Sequence, residues 1–266
     1  MYIEVTKVIA NGPLAKDIYQ LELESEQISP AARPGQFVNI LIGPTAQPLL
    51  RRPMSVAFVH GTRLGLIYKL FGEGTRTMSS WTPGTEVDIL GPLGNGWTVA
   101  ESSIPVLIGG GVGIAPINFL HEELVNIERE HFLIMGARTA AEHFLEHNPA
   151  AGIILTTDDG SLGLAGTVQA GLDRLLQTTS GSSITIYTCG PPVMLAAMQS
   201  SALEGNIRCQ LAVEEMMGCG FGICQGCCVQ TRDNGQAAAD TYHIKFKLAC
   251  IDGPVFWANE IADLHE

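Results

Sequence analysis

The chain has 266 residues, of which 46% are hydrophobic, and it carries 27 acidic against 15 basic side chains, a formal net charge of −12. This length allows one large domain or two modest domains with proper cores, and the hydrophobic content predicts a compact fold and excludes a disordered chain. The charge argues against a nucleic-acid partner, because neutralising phosphates requires clustered Lys and Arg.

The start of the chain and its apolar runs carry no membrane signal. Residues 1–8 alternate polar and apolar side chains like a strand, without a basic region followed by an apolar core, so we expect no signal peptide. The apolar runs fall short of the ~20 residues that span a bilayer. We therefore expect a cytoplasmic protein without a membrane partner, in which the cysteines do not serve as disulfides.

The first hundred residues predict an antiparallel β-barrel, assigned to a domain at 1–100. Short alternating segments are separated there by Gly and Pro, which is the pattern of an all-β unit. The predicted strands are 17–23, 36–42, 54–60, 63–70 and 86–90.

Residues 101–208 predict a second domain with a parallel sheet. Apolar strands alternate with longer helical stretches, which places helices on the faces of such a sheet. The predicted strands are 104–108, 132–137, 153–157 and 184–188, and the predicted helices are 116–130, 166–177 and 191–203. One more strand is expected over 207–213, and a third domain over 209–266 contains most of the cysteines.

Two segments of the barrel could hold phosphates and a flavin. Arg52, beside Pro53, could grip a pyrophosphate bidentately, and the Ser55 hydroxyl could bond a flavin ring nitrogen. Further on, Gly74 and Thr75 belong to a run of glycines and hydroxyls that could cradle a phosphate. Taken singly, the first segment could equally be a solvated strand connection and the second a hairpin end.

The second domain contains a glycine-rich turn typical of dinucleotide sites. Strand 104–108 runs into Gly110, Gly111 and Gly113 and then a helix, an order that lets a dinucleotide backbone approach a helix start. A tight turn without ligand is the alternative. Cofactor preference stays open, because the run 136–139 has one arginine while Asp158 and Asp159 would suit NAD.

Four cysteines near the end of the chain predict a 2Fe–2S cluster. Cys219, Cys224 and Cys227 have C-x4-C-x2-C spacing, and Cys250 follows at a distance. Each iron takes two thiolates, so a loop can supply three ligands and a distant segment the fourth. Glycines at 218, 220 and 222 suit a loop that turns amide N–H groups toward sulfur. Zinc fits less well, because structural zinc sites usually pair two C-x2-C knuckles; disulfides and inert thiols are further alternatives.

Three cysteines stand apart from this predicted ligand set. Cys228 could replace Cys227 only by changing the spacing from x2 to x3, so we interpret it as a small buried residue or spare thiol. Cys189 and Cys209 lie outside the cluster region, and a buried residue at a strand end is an ordinary role for Cys189.

A barrel with Arg52-x-x-Ser55 followed by the glycine turn resembles the ferredoxin-NADP reductase superfamily. The resemblance implies FAD and NAD(H) as cofactors and gives Cys189 a role in shaping the hydride-transfer site. It implies FAD contacts for Arg52, Pro53, Met54, Ser55, Ile67, Tyr68, Lys69, Gly74 and Thr75. It implies nicotinamide-nucleotide contacts for Gly110, Gly111, Gly113, Cys189, Gly190 and Pro191.

The phrases at 214–227 and 249–256 resemble the electron-transfer subunits of class 1B dihydroorotate dehydrogenases. The resemblance covers essentially the whole chain. That resemblance implies electron flow between NAD(H), FAD and the 2Fe–2S cluster and an FMN-containing catalytic partner in pyrimidine synthesis, in a heterotetramer with two copies of each subunit. The alternatives are the flavin subunit of an NADH-linked ferredoxin, sulfide or hydrogenase-type oxidoreductase, and a non-catalytic redox sensor. A sensor would not need the complete set of motifs.

The partner must lie close to the cluster for electrons to pass. We therefore expect the cysteine loop and residues 253–257 to form the docking surface, with Phe221, Ile223, Phe256 and Trp257 as contacts, since aromatic anchors often dominate interfaces. The alternative is that these side chains cover the cluster within this chain.

Overall fold

The computed structural model describes residues 1–43, 49–179, 182–232 and 245–264. The first part is a closed antiparallel barrel with strand order β1-β2-β5-β4-β3-β6. Its strands are β1 Tyr2–Ala15, β2 Ile18–Glu24, β3 Phe37–Ile40, β4 Arg52–His60, β5 Arg63–Lys69 and β6 Glu86–Leu93, with helix α1 at Glu73–Ser79. The predicted barrel is confirmed.

Alternation along the strands fills the barrel. On β2 the side chains of Leu21 and Leu23 are buried while those between them are partly exposed, the period of two that one buried face requires. The predicted strand at the start of the chain continues to Ala15, because β1 pairs with β6 over its first half and with β2 over its second half.

The second part is a seven-stranded sheet with order β10-β9-β8-β7-β11-β12-β15, parallel except at β15. Its strands are β7 Ile104–Gly110, β8 Phe132–Ala137, β9 Ile153–Thr157, β10 Leu164–Ala165, β11 Ile184–Cys189, β12 Arg208–Ala212 and β15 Val255–Trp257. Its helices are α2 Ile114–Asn126, α3 Val168–Thr178 and α4 Pro192–Glu204. Every residue of β11 is buried, as expected for a strand covered on both faces.

Strand order reverses between β7 and β11, because successive strands run outward from β7 on one side and from β11 on the other. Open parallel sheets bind ligands in the crevice at the carboxyl ends of the strands beside such a reversal. The glycine turn leads into this crevice through a 3-10 turn, Gly111–Gly113, so α2 begins at Ile114, two residues before the predicted helix.

The C-terminal segment returns to the sheet. A hairpin of β13 Cys228–Gln230 and β14 Phe246–Leu248 follows the cysteine loop, and β15 then pairs antiparallel with β12. The Gln199 side-chain amide on α4 donates to the carbonyl oxygens of Ala258 and Ala262 and accepts from Leu264 N–H. Strand β12 spans the predicted boundary at 208, and the domain limits stay a prediction. Within the described ranges every helix is too short or too polar to cross a membrane.

Candidate functional site

The two phosphate-binding segments of the barrel meet in space. Arg52 pairs with Ile40 in the β3–β4 ladder, and a Cβ atom added to Gly74 would lie 3.2 Å from Arg52 Nε. Thr75 Oγ1 accepts the N–H groups of Phe71 at 2.9 Å and Gly72 at 3.3 Å, which shapes the turn before α1. A guanidinium therefore lies directly beside a glycine backbone, as pyrophosphate binding requires.

The adjacent arginines have different surroundings. Arg51 Nη2 lies 2.8 Å from Asp88 Oδ1, and its Nη1 donates to the Asp88 carbonyl at 3.2 Å, so Arg51 ties β6 to the start of β4. Arg52 Nη1 donates to the Leu50 carbonyl at 2.6 Å on the exposed side. Arg51 is thus engaged by Asp88, and the assignment of Arg52 as the phosphate ligand stays a prediction.

Ile67, Tyr68 and Lys69 on β5 are directed to three different places. Tyr68 faces the barrel interior, where its hydroxyl donates to Asn11 Oδ1 at 3.0 Å and burial raises its pKa to about 12. Ile67 is buried in the apolar cluster that also contains Ile117 of α2. Lys69 lines a cavity at the carboxyl ends of β7, β8 and β9. A flavin contact from the side chain of Tyr68 is therefore not supported, and the flavin roles of β5 stay a prediction.

A cavity of about 370 Å³ lies where the barrel, the sheet and the cysteine segment meet. We call it the junction cavity; its lining residues are Phe37, Pro53, Ser55, Pro192, Val213, Glu214, Glu215, Met216, Met217 and Pro254. Met54, by contrast, packs against the barrel core. The flavin-motif residues Pro53 and Ser55 thus open onto the same space as the segment that begins the cysteine loop.

Cys189 ends β11 next to this junction. Burial, and secondly the nearby Glu214 carboxyl, raise the pKa of the Cys189 thiol, so it stays protonated. A Cβ atom at Gly113 would lie 2.1 Å from the Cys189 carbonyl oxygen, which is why the turn after β7 requires glycine there. A protonated, buried thiol can shape the wall of a site but cannot act as a nucleophile.

A second cavity, of about 370 Å³, lies at the carboxyl ends of β7, β8 and β9. We call it the nucleotide cavity; its lining includes the predicted Gly110, Gly111 and Pro191 and also Lys69, Arg138, Glu142 and Asp158. Gly111 has φ +56° and open space around a hypothetical Cβ. This is the crevice expected at the reversal of strand order, so the predicted glycine turn and the Gly190-Pro191 turn reach one cavity from two strands.

The cysteine loop has features that suit thiolates. Cys219 Sγ accepts the N–H groups of Phe221 at 3.5 Å and Cys224 at 3.4 Å, and these bonds outweigh the opposing effect of burial and lower the pKa of Cys219 to about 6. Cys227 and Cys250 are both buried, and burial together with Cys227 raises the pKa of Cys250 to about 12. N–H groups directed at sulfur fit a bound iron–sulfur cluster.

Cys228 differs from Cys219, whose sulfur accepts backbone N–H groups. Its thiol donates to the Gln225 carbonyl oxygen at 3.0 Å, and the residue opens strand β13 opposite Leu248.

Within the described residues, no group of three or more His, Cys, Asp or Glu side chains could hold a metal ion. A 2Fe–2S core distributes two thiolates to each of two irons, which is a wider arrangement than the site of one ion. The four-cysteine ligand set stays a prediction.

Asn39 belongs to this site, although the sequence analysis did not identify it. Its side chain is 1% exposed on β3, and its Nδ2 donates to the Cys219 carbonyl oxygen at 3.0 Å. Its Oδ1 has no hydrogen-bond partner among the residues that the structure describes. A polar residue within the apolar strand Phe37–Ile40 was the available signal.

The predicted docking residues divide between surface and core. Phe256 is 2% exposed and packs within the main core, and Trp257 lies under the Arg208 guanidinium, 4.7 Å from the ring centroid. The prediction was wrong for Phe256, because pairing of β15 with β12 turns it inward. Phe221 and Ile223 are exposed beside the cysteines, together with Met216 and Ile251.

The barrel and sheet together define a ferredoxin-reductase-like flavoprotein fold. An NADH-dependent reduced ferredoxin-NADP oxidoreductase structure, described in a study of flavin-based electron bifurcation, superposes with TM-score 0.83 at 25% identity, covering 98% of this chain and 90% of that chain. A ferredoxin NADP+ reductase from Neisseria gonorrhoeae with bound FAD and NADP gives TM-score 0.64 at 15% identity, covering 77% of this chain and 92% of that one.

Sequence comparison identifies the family. Residues 214–262 match the model of the iron-sulfur cluster binding domain of dihydroorotate dehydrogenase B. The dihydroorotate dehydrogenase B (NAD(+)) electron transfer subunit of Desulforamulus reducens is 36% identical over 258 residues, covering 94% of each chain. That of Caldanaerobacter subterraneus subsp. tengcongensis is 32% identical over 263 residues, covering 96% of each. The chain belongs to the family of dihydroorotate dehydrogenase B electron transfer subunits.

Membership confirms several predictions made from the sequence. The chain is an NAD-dependent flavin and iron–sulfur oxidoreductase subunit, and its cofactors are FAD, a 2Fe–2S cluster and NAD(H). Because its relatives are electron transfer subunits, a catalytic partner subunit is implied.

Proposed function

We propose that this chain passes electrons between NAD(H) and an FMN-containing dihydroorotate dehydrogenase catalytic subunit in pyrimidine synthesis, through FAD and a 2Fe–2S cluster. The observation that carries the proposal is the junction cavity, which brings Ser55 of the flavin motif, Pro192 of the sheet domain and Met217 of the cysteine segment around one space. Electron transfer requires the cofactors to lie close together, and the segments that contain the three predicted cofactor sites each contribute lining residues to this cavity.

Each part of the chain has an assigned role. Arg52 and Gly74 hold the pyrophosphate of FAD, and Ser55 orients its ring from the cavity wall. Gly110, Gly111 and Pro191 hold the dinucleotide in the nucleotide cavity. Pro53 would lie at the flavin ring, and Gly113 and Gly190 would belong to the two turns that approach the dinucleotide.

When bound, FAD accepts a hydride from nicotinamide and gives up electrons singly, and the cluster carries one electron at a time. Hydride transfer requires no protein acid or base, so the residues contribute chiefly by positioning. The Cys189 thiol is buried, and the Gly113 turn packs against the Cys189 carbonyl oxygen. Amide N–H groups at Cys219 favour its thiolate form and fix the loop.

The cluster ligands in this proposal are Cys219, Cys224, Cys227 and Cys250, with Cys228 outside the set. Each Cys→Ser substitution at the four positions should abolish or alter the 2Fe–2S visible and EPR spectra. Cys228→Ser is the matched control, since its thiol bonds the Gln225 carbonyl. Spectra lost in Cys228→Ser but kept in Cys227→Ser would reassign the third ligand.

The exposed apolar side chains around the cysteines are the proposed docking surface for the catalytic subunit. Met216 is 89% exposed and Ile223 77% exposed, and Phe221 and Ile251 extend the patch. Exposed apolar patches of this kind mark interaction sites.

We further propose a heterotetramer of two copies of each subunit and a cytoplasmic location, where reducing conditions keep cluster cysteines as thiols.

The test is an anaerobic NADH titration of the reconstituted protein, followed by optical and EPR spectra with and without catalytic subunit and orotate. We expect a bleached flavin, a rhombic 2Fe–2S signal, and orotate reduction only with the partner present. If NADH reduces neither centre, the proposal is wrong.

A second candidate is the flavin subunit of an NADH-dependent ferredoxin, sulfide or hydrogenase-type oxidoreductase. The superposition at TM-score 0.83 with an NADH-dependent reduced ferredoxin-NADP oxidoreductase favours it. In the same titration, reduction of both centres without electron delivery to the dihydroorotate dehydrogenase subunit, but with delivery to ferredoxin, would select this candidate.

A further inference from the structure

Four charged side chains line the nucleotide cavity, of which two are basic and two are acidic. Lys69 comes from the barrel, Arg138 and Glu142 follow β8, and Asp158 follows β9. A third acidic residue, Asp159, lies outside the lining, and its Oδ1 accepts the N–H and hydroxyl of Ser161 within its own turn.

The position of Arg138 bears on which nicotinamide nucleotide the cavity accepts. In dinucleotide folds, an acidic residue beyond the glycine turn binds the ribose 2′-hydroxyl of NAD, whereas an arginine there accommodates the 2′-phosphate of NADP. Arg138 follows the strand adjacent to β7 and lines the cavity. By position alone this arginine would favour NADP.

Glu142 changes that expectation because it already binds Arg138. Its Oε1 accepts from Arg138 Nε at 3.0 Å and from Nη2 at 2.5 Å, and its Oε2 lies 3.8 Å from Lys69 Nζ. The Glu142 side chain is 8% exposed and that of Arg138 is 68% exposed, so a shielded carboxylate holds a guanidinium that solvent reaches. Burial raises the pKa of Glu142, but the Arg138 hydrogen bonds and the Lys69 charge together hold it below its usual value.

We propose that Glu142 is a positioning residue that gives this chain its preference for NAD over NADP, by holding Arg138 away from a 2′-phosphate. The inference rests on the proposed use of NAD(H) in the nucleotide cavity. Both cations of the described lining face Glu142, and Asp158 adds a negative charge to the same cavity. The 2′-phosphate of NADP would thus enter a cavity whose positive charges are already neutralised.

The experiment measures the dissociation constants of oxidised NAD and NADP by calorimetry on the full-length, FAD-loaded protein, so that no turnover is needed. The wild type should bind NAD more tightly. Glu142→Gln should tighten NADP binding by about tenfold, the value of one charge-assisted hydrogen bond. It should leave the dissociation constant of NAD within about threefold of the wild-type value.

The double variant R138Q/E142Q separates this role from a structural one. If Arg138 is the released ligand, the double variant should lose the tenfold gain for NADP. Glu204→Gln, which removes a carboxylate that bonds Ser200 outside the cavity lining, is the control and should keep the wild-type ratio of affinities. A loss of packing alone would weaken the binding of both nucleotides, and the added R138Q substitution would not reverse that effect.

Failure of this inference and failure of the proposed function give different results. An unchanged NADP-to-NAD ratio in Glu142→Gln, with NAD still bound, overturns the role of Glu142 and leaves the proposed function intact. Absence of NAD binding by the FAD-loaded wild type overturns both. Should Glu142→Gln fail to fold, Arg138→Gln decides: an unchanged ratio supports the inference, and a selective loss of NADP affinity overturns it.

Discussion

The side-chain amide of Asn39, on barrel strand β3, donates a hydrogen bond of 3.0 Å to the carbonyl oxygen of Cys219 in the cysteine loop. The two residues are 180 positions apart in the chain, and Asn39 is almost completely buried. The bond fixes the first cysteine of the loop to the barrel that carries the flavin motif. It therefore links the position of the predicted cluster to the position of the flavin site.

Asn39→Ala should accelerate loss of the cluster. An unsatisfied buried carbonyl costs about 1–3 kcal/mol, and here the cost falls on the loop that holds Cys219. The measurement is iron release to a chelator, followed by visible absorbance. Asn11→Ala is the control, because the Asn11 amide donates to the Met78 and Trp81 carbonyls inside the barrel. Equal release rates in the two variants would contradict the assignment.

Gly220→Ala should impair cluster assembly more than its backbone strain alone explains. Gly220 has φ +79°, and an added Cβ would lie 2.0 Å from Asn39 Nδ2. Gly84 has φ +90°, and no described residue has an atom within 4 Å of its hypothetical Cβ, so Gly84→Ala carries only the strain, about 1–2 kcal/mol. Both variants should unfold at lower temperature, and only Gly220→Ala should show reduced iron per protein. Normal iron content in Gly220→Ala would disprove the contact.

Arg52→Gln should weaken FAD binding by about ten- to a hundredfold. The variant removes a charge-assisted hydrogen bond to phosphate that contributes about 1.5–3 kcal/mol. Arg51→Gln is the neighbouring control: it breaks the ion pair with Asp88 and should lower the melting temperature while FAD affinity stays near wild type. Flavin fluorescence during titration of the apoprotein gives both affinities. A larger effect from Arg51→Gln would exchange the two assignments.

The stability of the protein should fall as the pH drops below about 6.5 because of His121. Its Nδ1 lies 2.8 Å from His131 Nε2, and burial, then the His131 charge, lower its pKa from 6.5 to about 4. The unfolded chain binds a proton there between these values and the native chain does not, so the free energy of unfolding rises with pH from about 4 to 6.5.

Urea unfolding between pH 4.5 and 7.5 checks this prediction. His121→Gln should flatten the pH dependence, and His131→Gln should keep more of it, because burial is the larger cause of the shift. An unchanged slope in His121→Gln would assign the pH dependence to other groups.

Local spacing in the sequence was sufficient for several features. The C-x4-C-x2-C run, the glycine turn at 109–113 and the alternation of the first hundred residues each depend on neighbours in the chain. The barrel was predicted from this alternation, the parallel sheet from the strand–helix alternation over 101–208, and the family from the resemblance of the phrases at 214–227 and 249–256. Helix and strand ends were less accurate: α2 begins at Ile114, because the Gly111–Gly113 turn already has helical character.

Long-range packing decided what spacing could not. The sequence gives no means to foresee that β15 pairs with β12, and this pairing buries Phe256 and removes it from the predicted docking surface. Likewise, Lys69 was expected at the flavin, but the seating of the barrel against the sheet domain places it beside Glu142. Asn39 became recognisable as a site residue only through its bond to Cys219.

The sequence by itself therefore indicated the kinds of cofactor, namely a flavin, a nicotinamide dinucleotide and an iron–sulfur cluster, because ligand type, spacing and turn residues are local properties, and it left the choice between NAD and NADP open. The tertiary structure decided how the sites adjoin and which charges face them. Arg138 illustrates the difference: its position after β8 follows from the sequence, but its neutralisation by Glu142 and the approach of Lys69 depend on side-chain geometry and on contact between two domains.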